Sequence, residues 1–189
     1  MPPIHPAQRT VLAPVVLALL LASPMAAEEA VQLPAIDNFG KVTESYYRGA
    51  QPKGHDFADL KALGVKLVID LAQEGDSSEA ANVEAAGMKF VRIPLTTAVA
   101  PDSAVIDHFL ALVTDAGNLP VYVHCIGGRH RTGALTAVYR MSQEGWTADR
   151  AFSEMKQYRF GADFLHPELK KFVYSYVPNR GKGLNAAGG

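Results

Sequence analysis

Almost all the candidate chemistry in this 189-residue chain sits in one run: His124-Cys125-Ile126-Gly127-Gly128-Arg129-His130-Arg131-Thr132-Gly133. Cys125 is the only cysteine, and five residues separate it from Arg131. Gly127 and Gly128 let such a loop curl through backbone angles that other residues resist. A curled loop can aim successive N–H groups at one point and hold an anion there. The helix predicted to follow adds its positive end and free amides. The planar fork of Arg131 matches two phosphoryl oxygens at once. The same donors favour thiolate over thiol at Cys125, so its pKa is expected to fall. A thiolate at the floor of an oxyanion cradle is placed to attack phosphorus and form a covalent intermediate. Thr132 is expected to hydrogen-bond the sulfur and ease its departure. His124 is expected to support the loop backbone from behind. The amides and side chains of Ile126, Gly127, Gly128, Arg129, His130 and Arg131 make up the expected phosphate cradle.

The flanking pattern says which elements present this loop. Val121-Tyr122-Val123-His124 reads as a short central strand entering it. Earlier strands are predicted at 45–49, 66–71 and 89–94, with Pro94 closing the last. Helices are expected over 55–63, 78–86 and 101–115, the first two stopped by Gly64 and Gly87. After residue 131 the apolar spacing is helical throughout: Ala134 to Met141, then Ala151 to Tyr158, then Leu165 to Tyr176, with Pro167 near a helix start. Strands alternating with helices, then helices alone, predict a single α/β domain. Its central, mostly parallel sheet is flanked by helices, with a helical C-terminal cluster.

Composition sets outer limits. Hydrophobic residues make up 48%, so the chain can bury a core and read as one domain. Eighteen Lys and Arg oppose 19 Asp and Glu, a net charge of -1, which argues against a broadly basic nucleic-acid surface. Arg9, the apolar run Val11–Ala22 and the small residues Ser23-Pro24-Met25-Ala26-Ala27 read as a secretory signal peptide over 1–27. The run is too short to span a bilayer, which takes about 20 residues. The expected mature domain covers 28–180, with a frayed tail over 181–189. It would work outside the cytoplasm, most simply in a bacterial periplasm, as a monomer without stable membrane insertion. His55, His108 and His166 share no ligand spacing, so no metal and no other cofactor is expected.

The run from His124 to Gly133 resembles the signature of the cysteine-dependent dual-specificity and tyrosine phosphatases. Its flavour is that of the atypical plant and fungal members and of small secreted bacterial ones. Tyr47-Arg48-Gly49-Ala50-Gln51-Pro52 is similar to the family's early strand and turn, and Ile93-Pro94 to the strand end before its acid loop. The resemblance covers about residues 38 to 175. It implies a phosphotyrosine phosphatase-like fold, Cys125 as nucleophile, Arg131 as phosphate clamp, and a phosphorylated protein as substrate. Similar basic loops, here Arg129 and His130, occur in relatives acting on inositol phosphates and phosphoinositides, so a small polyanionic phosphate is the alternative. The family's proton-donating aspartate would fall near Ala98, and Thr96-Thr97-Ala98-Val99-Ala100 has no carboxylate. Asp102 is the replacement candidate, although Asp after Pro101 is also an ordinary helix cap. Asp107, Glu74 and Asp76 stand behind it. The missing acid also motivates a second class of function, a phosphate-binding pseudophosphatase. A sulfurtransferase or arsenate reductase ranks lower, since arsenate reduction draws on further thiols.

Overall fold

The computed structural model describes residues 33–179. The expected signal peptide and the tail lie outside the described residues. Eleven main elements follow in order. They are β1 (Gly40–Thr43), β2 (Tyr46–Ala50), α1 (Asp56–Ala62), β3 (Leu67–Ala72), α2 (Glu79–Ala85), β4 (Lys89–Leu95), α3 (Ser103–Thr114), β5 (Val121–Cys125), α4 (Arg131–Gln143), α5 (Ala148–Gln157) and α6 (Pro167–Ser175). A 3-10 turn, Asp163–Leu165, leads into α6. The sheet order is β1-β2-β5-β3-β4. All pairs are parallel except β1 with β2. Among the described residues, no helix is long and apolar enough to cross a membrane.

Strand β5 is central and wholly buried, as its apolar sequence predicts. Its side chains alternate between two apolar cores. Val121, Val123 and Cys125 face the core shared with α3, α4, α5 and α6. Tyr122 faces the other core, with Leu60 of α1 and Val83 of α2. Strand β3 does the same, with Leu67, Ile69 and Leu71 on one side and Val68 on the other. The four parallel strands end along one edge of the sheet. The loops after β2, β3, β4 and β5 therefore gather where α/β folds bind ligands.

Two elements depart from the sequence expectation. Strand β1 was not legible: it is four residues long, ends before the Glu44-Ser45 turn and carries a register shift between Lys41 and Thr43. Strand β4 runs through Pro94 to Leu95 rather than stopping at it. β4 is an edge strand, where a residue without an N–H is tolerated.

Phe109 of α3 is fully buried in the larger core. Phe109→Ala is expected to cost about 3–5 kcal/mol. Urea denaturation of the two proteins checks this.

Candidate active site

The loop between β5 and α4 is built by turning its carbonyls outward. Ile126 O accepts the Gln51 amide at 3.2 Å. Gly127 O and Gly128 O accept from Asn38 Nδ2 at 3.4 and 2.8 Å. Gly128 O also accepts from Arg48 Nη2 at 2.8 Å. With three successive carbonyls drawn out, the amides between them are free to face the centre of the loop. Gly128 has φ +63°, and a Cβ there would run into the backbone of Gly49 and Ala50 on β2. The glycine thus answers both a turn and a close approach. Helix α4 begins at Arg131, and the residue before it, His130, makes no side-chain cap. The first-turn amides of α4 are left for an anion.

Cys125 ends β5 at the floor of this loop, only 3% exposed. Burial is the largest influence on the thiol and pushes its pKa up. The Thr132 hydroxyl and amide, the Arg131 charge and the Arg129 amide together outweigh burial, so the pKa falls below that of an ordinary thiol. Thr132 Oγ1 is buried and meets no conventional partner among the described residues, which leaves its proton for the sulfur.

Arg131 is gripped from one end. Nη1 and Nη2 each bond a Glu74 carboxylate oxygen at 2.6 Å, and Nη1 also bonds Leu95 O at 3.0 Å. Its Nε is buried without a partner. Glu74 and Leu95 therefore fix the guanidinium end-on and leave its Nε edge for a phosphoryl oxygen. Burial lowers the Arg131 pKa, but the Glu74 hydrogen bonds and the Cys125 charge raise it further, with a net rise. Glu74 is held below the usual carboxylate range by its hydrogen bonds with Arg131. The grip is complete above the ordinary glutamate pKa near 4.5 and is lost only as pH falls through the lowered value. Sequence reasoning weighed Glu74 as a proton donor. The structure makes it the ionised partner of Arg131.

The remaining candidates take distinct places. Arg129 lies 3.8 Å from Asp37, which also bonds Arg159 at 2.8 Å. His130 is half-buried, with Nε2 3.0 Å from Phe160 O and its ring 3.7 Å from that of His166. It braces the loop. Ile126 is exposed. Asp102 caps α3, its Oδ1 accepting the Val105 amide at 2.8 Å. Asp107 lies within α3, and Asp76 accepts from the Ser78 amide and hydroxyl, each at 2.8 Å.

His124 corrects the sequence expectation. Adjacent strand residues point to opposite faces, so its ring turns away from Cys125. Nε2 lies 2.8 Å from Glu79 and Nδ1 3.8 Å from Asp70, and neither nitrogen bonds the loop. Arg92 completes this buried group through Asp70 at 2.8 Å and the Asp76 carbonyl at 2.6 Å. Asp70, Glu79 and His124 place one possible ligand atom each within 4.8 Å of one another. Arg92 already holds Asp70, so the group reads as an internal ion-pair cluster rather than a metal centre. Sequence reasoning missed Asn38, Asp70, Glu79 and Arg92. In the sequence Arg48 is legible only as part of the early strand.

A cysteine of lowered pKa at the end of a central parallel strand, inside a ring of inward amides and beside a pinned arginine, defines a cysteine-dependent phosphatase. Comparison with known proteins agrees. Residues 31–170 match the family described as DSP-PTPase phosphatase fused to NAD+ kinase, and the chain belongs to this family of phosphatases. It is 32% identical over 162 residues to the dual specificity protein phosphatase TpbA of Pseudomonas aeruginosa strain UCBPP-PA14, spanning 81% of this chain and 73% of TpbA. It is 28% identical over 130 residues to the inositol diphosphatase SIW14 of Saccharomyces cerevisiae, spanning 66% of this chain and 46% of SIW14. The crystal structure of P. aeruginosa TpbA superposes with a TM-score of 0.65 at 25% identity, covering 80% of this chain and 94% of that one. The SIW14 catalytic core, at 24% identity, gives 0.67 over 77% and 89% and shares the fold.

Glu74→Gln keeps the shape but removes the charge that pins Arg131. We expect kcat/KM for an aryl phosphate to fall about tenfold through KM, comparable to losing a charged hydrogen bond of about 1.5 kcal/mol. Steady-state kinetics on the two proteins checks this.

Proposed function

We propose that this chain dephosphorylates proteins, phosphotyrosine foremost, through a phospho-cysteine intermediate. One observation carries the reading: the loop carbonyls face outward around a buried Cys125 whose pKa is lowered. The Cys125 thiolate attacks phosphorus while the phosphoryl oxygens sit against the loop amides and the Arg131 Nε edge. The S–P bond forms as the ester P–O bond breaks, and the departing oxygen takes a proton. Water then attacks phosphorus and releases inorganic phosphate. The thiolate leaves with help from the Thr132 hydroxyl.

Asp102 is the proton donor in this reading. It is exposed at the end of the loop that starts from Leu95, whose carbonyl touches Arg131. Substrate choice draws on two observations. The chain spans more of TpbA than of SIW14, and a solved TpbA variant holds phosphotyrosine. Val99 and Ile126 present exposed apolar surface from the two loops after β4 and β5, suited to an aromatic ring. A second reading, a phosphatase of inositol phosphates or other small polyanions, is favoured by Arg129 and Arg159 sharing the single carboxylate of Asp37. The N-terminal pattern supports export, with the mature enzyme acting as a periplasmic monomer.

We expect phosphate release from p-nitrophenyl phosphate by residues 28–189 and none from Cys125→Ser. Silence from both, with folding and a reduced thiol verified, would replace the enzyme by a phosphate-binding pseudophosphatase. We expect Asp102→Asn to leave the p-nitrophenyl phosphate rate within a few fold. On a phosphotyrosine peptide, which has the poorer leaving group, it should lose about 10²-fold. Asn still caps α3, so stability should hold. Equal rates on the peptide would leave Asp102 as a cap alone. Export is checked by N-terminal sequencing of the protein from the periplasmic fraction, with Glu28 expected first.

A further inference from the structure

Arg48 is a large charged side chain that the reaction above leaves without a task. It is completely buried on β2. Register pairs Arg48 with Val123 and Ala50 with Cys125, so Arg48 shares the Cys125 face of the sheet. Among the described residues no carboxylate pairs with it. Nη2 donates to Gly128 O at 2.8 Å, and the guanidinium carbon sits 3.9 Å from the centre of the Tyr158 ring. Nε and Nη1 are buried without partners. Glu154, whose charge reaches Arg48, is itself forked by Arg140 at 2.7 Å.

A buried cation with one carbonyl and one ring face is poorly compensated. Core packing alone would be served better by an apolar side chain of the same bulk. Glu154 is already shared with Arg140, and the further negative charge that acts on Arg48 lies across the loop it holds. Two negative charges belong there, the Cys125 thiolate and the bound phosphoryl group. We propose that Arg48 is a positioning residue of the phosphatase reaction: it keeps the Gly128 carbonyl out of the cradle and supplies, from behind, the positive field in which Cys125 ionises. The proposal rests on Cys125 being the nucleophile.

The Cys125 charge is among those that favour the Arg48 cation. Arg48 feels Tyr46, Glu154, Tyr158 and Cys125, and only the last two adjoin the loop. Cys125 feels Arg131 in front, itself tied to Glu74, and the Arg129 and Thr132 amides around it. Asn38 duplicates the hold on Gly128 O but is neutral, so of the two side chains that hold this carbonyl only Arg48 brings charge.

The test compares Arg48→Gln, which can still donate to Gly128 O but has no charge, with Arg48→Lys, which keeps the charge. Three quantities are read on the folded proteins: the pH midpoint of Cys125 alkylation by iodoacetamide, the orthovanadate inhibition constant, and the melting temperature. For Arg48→Gln we expect the alkylation midpoint to rise by about one pH unit, the lower end of what a nearby opposite charge imposes. Vanadate should bind at least tenfold more weakly. For Arg48→Lys the midpoint should return most of the way to the parent value. Folded variants with an unshifted midpoint and unchanged vanadate inhibition would overturn the proposal. A midpoint shifted equally in both variants would also overturn it, since it would follow shape rather than charge. Failure of both variants to fold would assign Arg48 to stability and overturn it too. Activity retained in Cys125→Ser is a separate result and would bring down the nucleophile assignment instead.

Discussion

A peptide loop can turn its amides toward one point only if its carbonyls turn away and find donors elsewhere. Here the donors come from parts of the chain far from the loop: Gln51 after β2, Asn38 ahead of β1, and Arg48 within β2. Each needs β2 beside β5, and β2 lies there because both strands are buried and parallel. The sheet order is therefore part of the anion site. The N-terminal segment, which would pass for a surface strap, is a structural member of the cradle through Asn38.

Gathering positive charge under one loop creates a second problem. Each cation near it is either paired or placed where an anion will come. Glu74 takes the outer end of Arg131, and Asp37 takes Arg129 and Arg159. Asp70 and Glu79 take Arg92 and lie against His124. The edges left open point inward: Arg131 Nε, the loop amides and the Thr132 hydroxyl. The result is an oriented set of donors with little reorganisation left for the moment of reaction.

Much of this was legible in the sequence, because the cradle is a local structure. Glycines, strand, arginine and helix lie within ten successive residues, and short-range physics ties them together. The layered α/β architecture was legible for the same reason, through period-2 and helical spacing. What escaped was non-local. Nothing in Gly40-Lys41-Val42-Thr43 announces a strand until β2 is there to pair with it. Nothing in Asp70 or Glu79 announces a partner for His124: an acidic residue in a buried strand reads as an exception until its cation is placed, and one opening a helix reads as an ordinary first-turn carboxylate. Pro94 reads as a stop because nothing in the sequence places its strand at the sheet edge; at an edge it has no ladder bond to lose. Glu74 was visible as a carboxylate in a loop, but its end-on grip on Arg131 depends on how β3 and β5 lie side by side.

The alternation of β5 carries one more consequence. His124 and Cys125 are neighbours in the chain, yet one belongs to a buried ionic cluster and the other to an anion cradle on the opposite face. Sliding β5 by one residue would exchange them, setting an imidazole among apolar side chains and a thiol among carboxylates. Both cores would object at once, and the pocket would lose its nucleophile. Correct strand alignment and chemical competence are thus one event in this molecule. A misaligned conformer would be penalised thermodynamically before it could persist as a folded but inert protein.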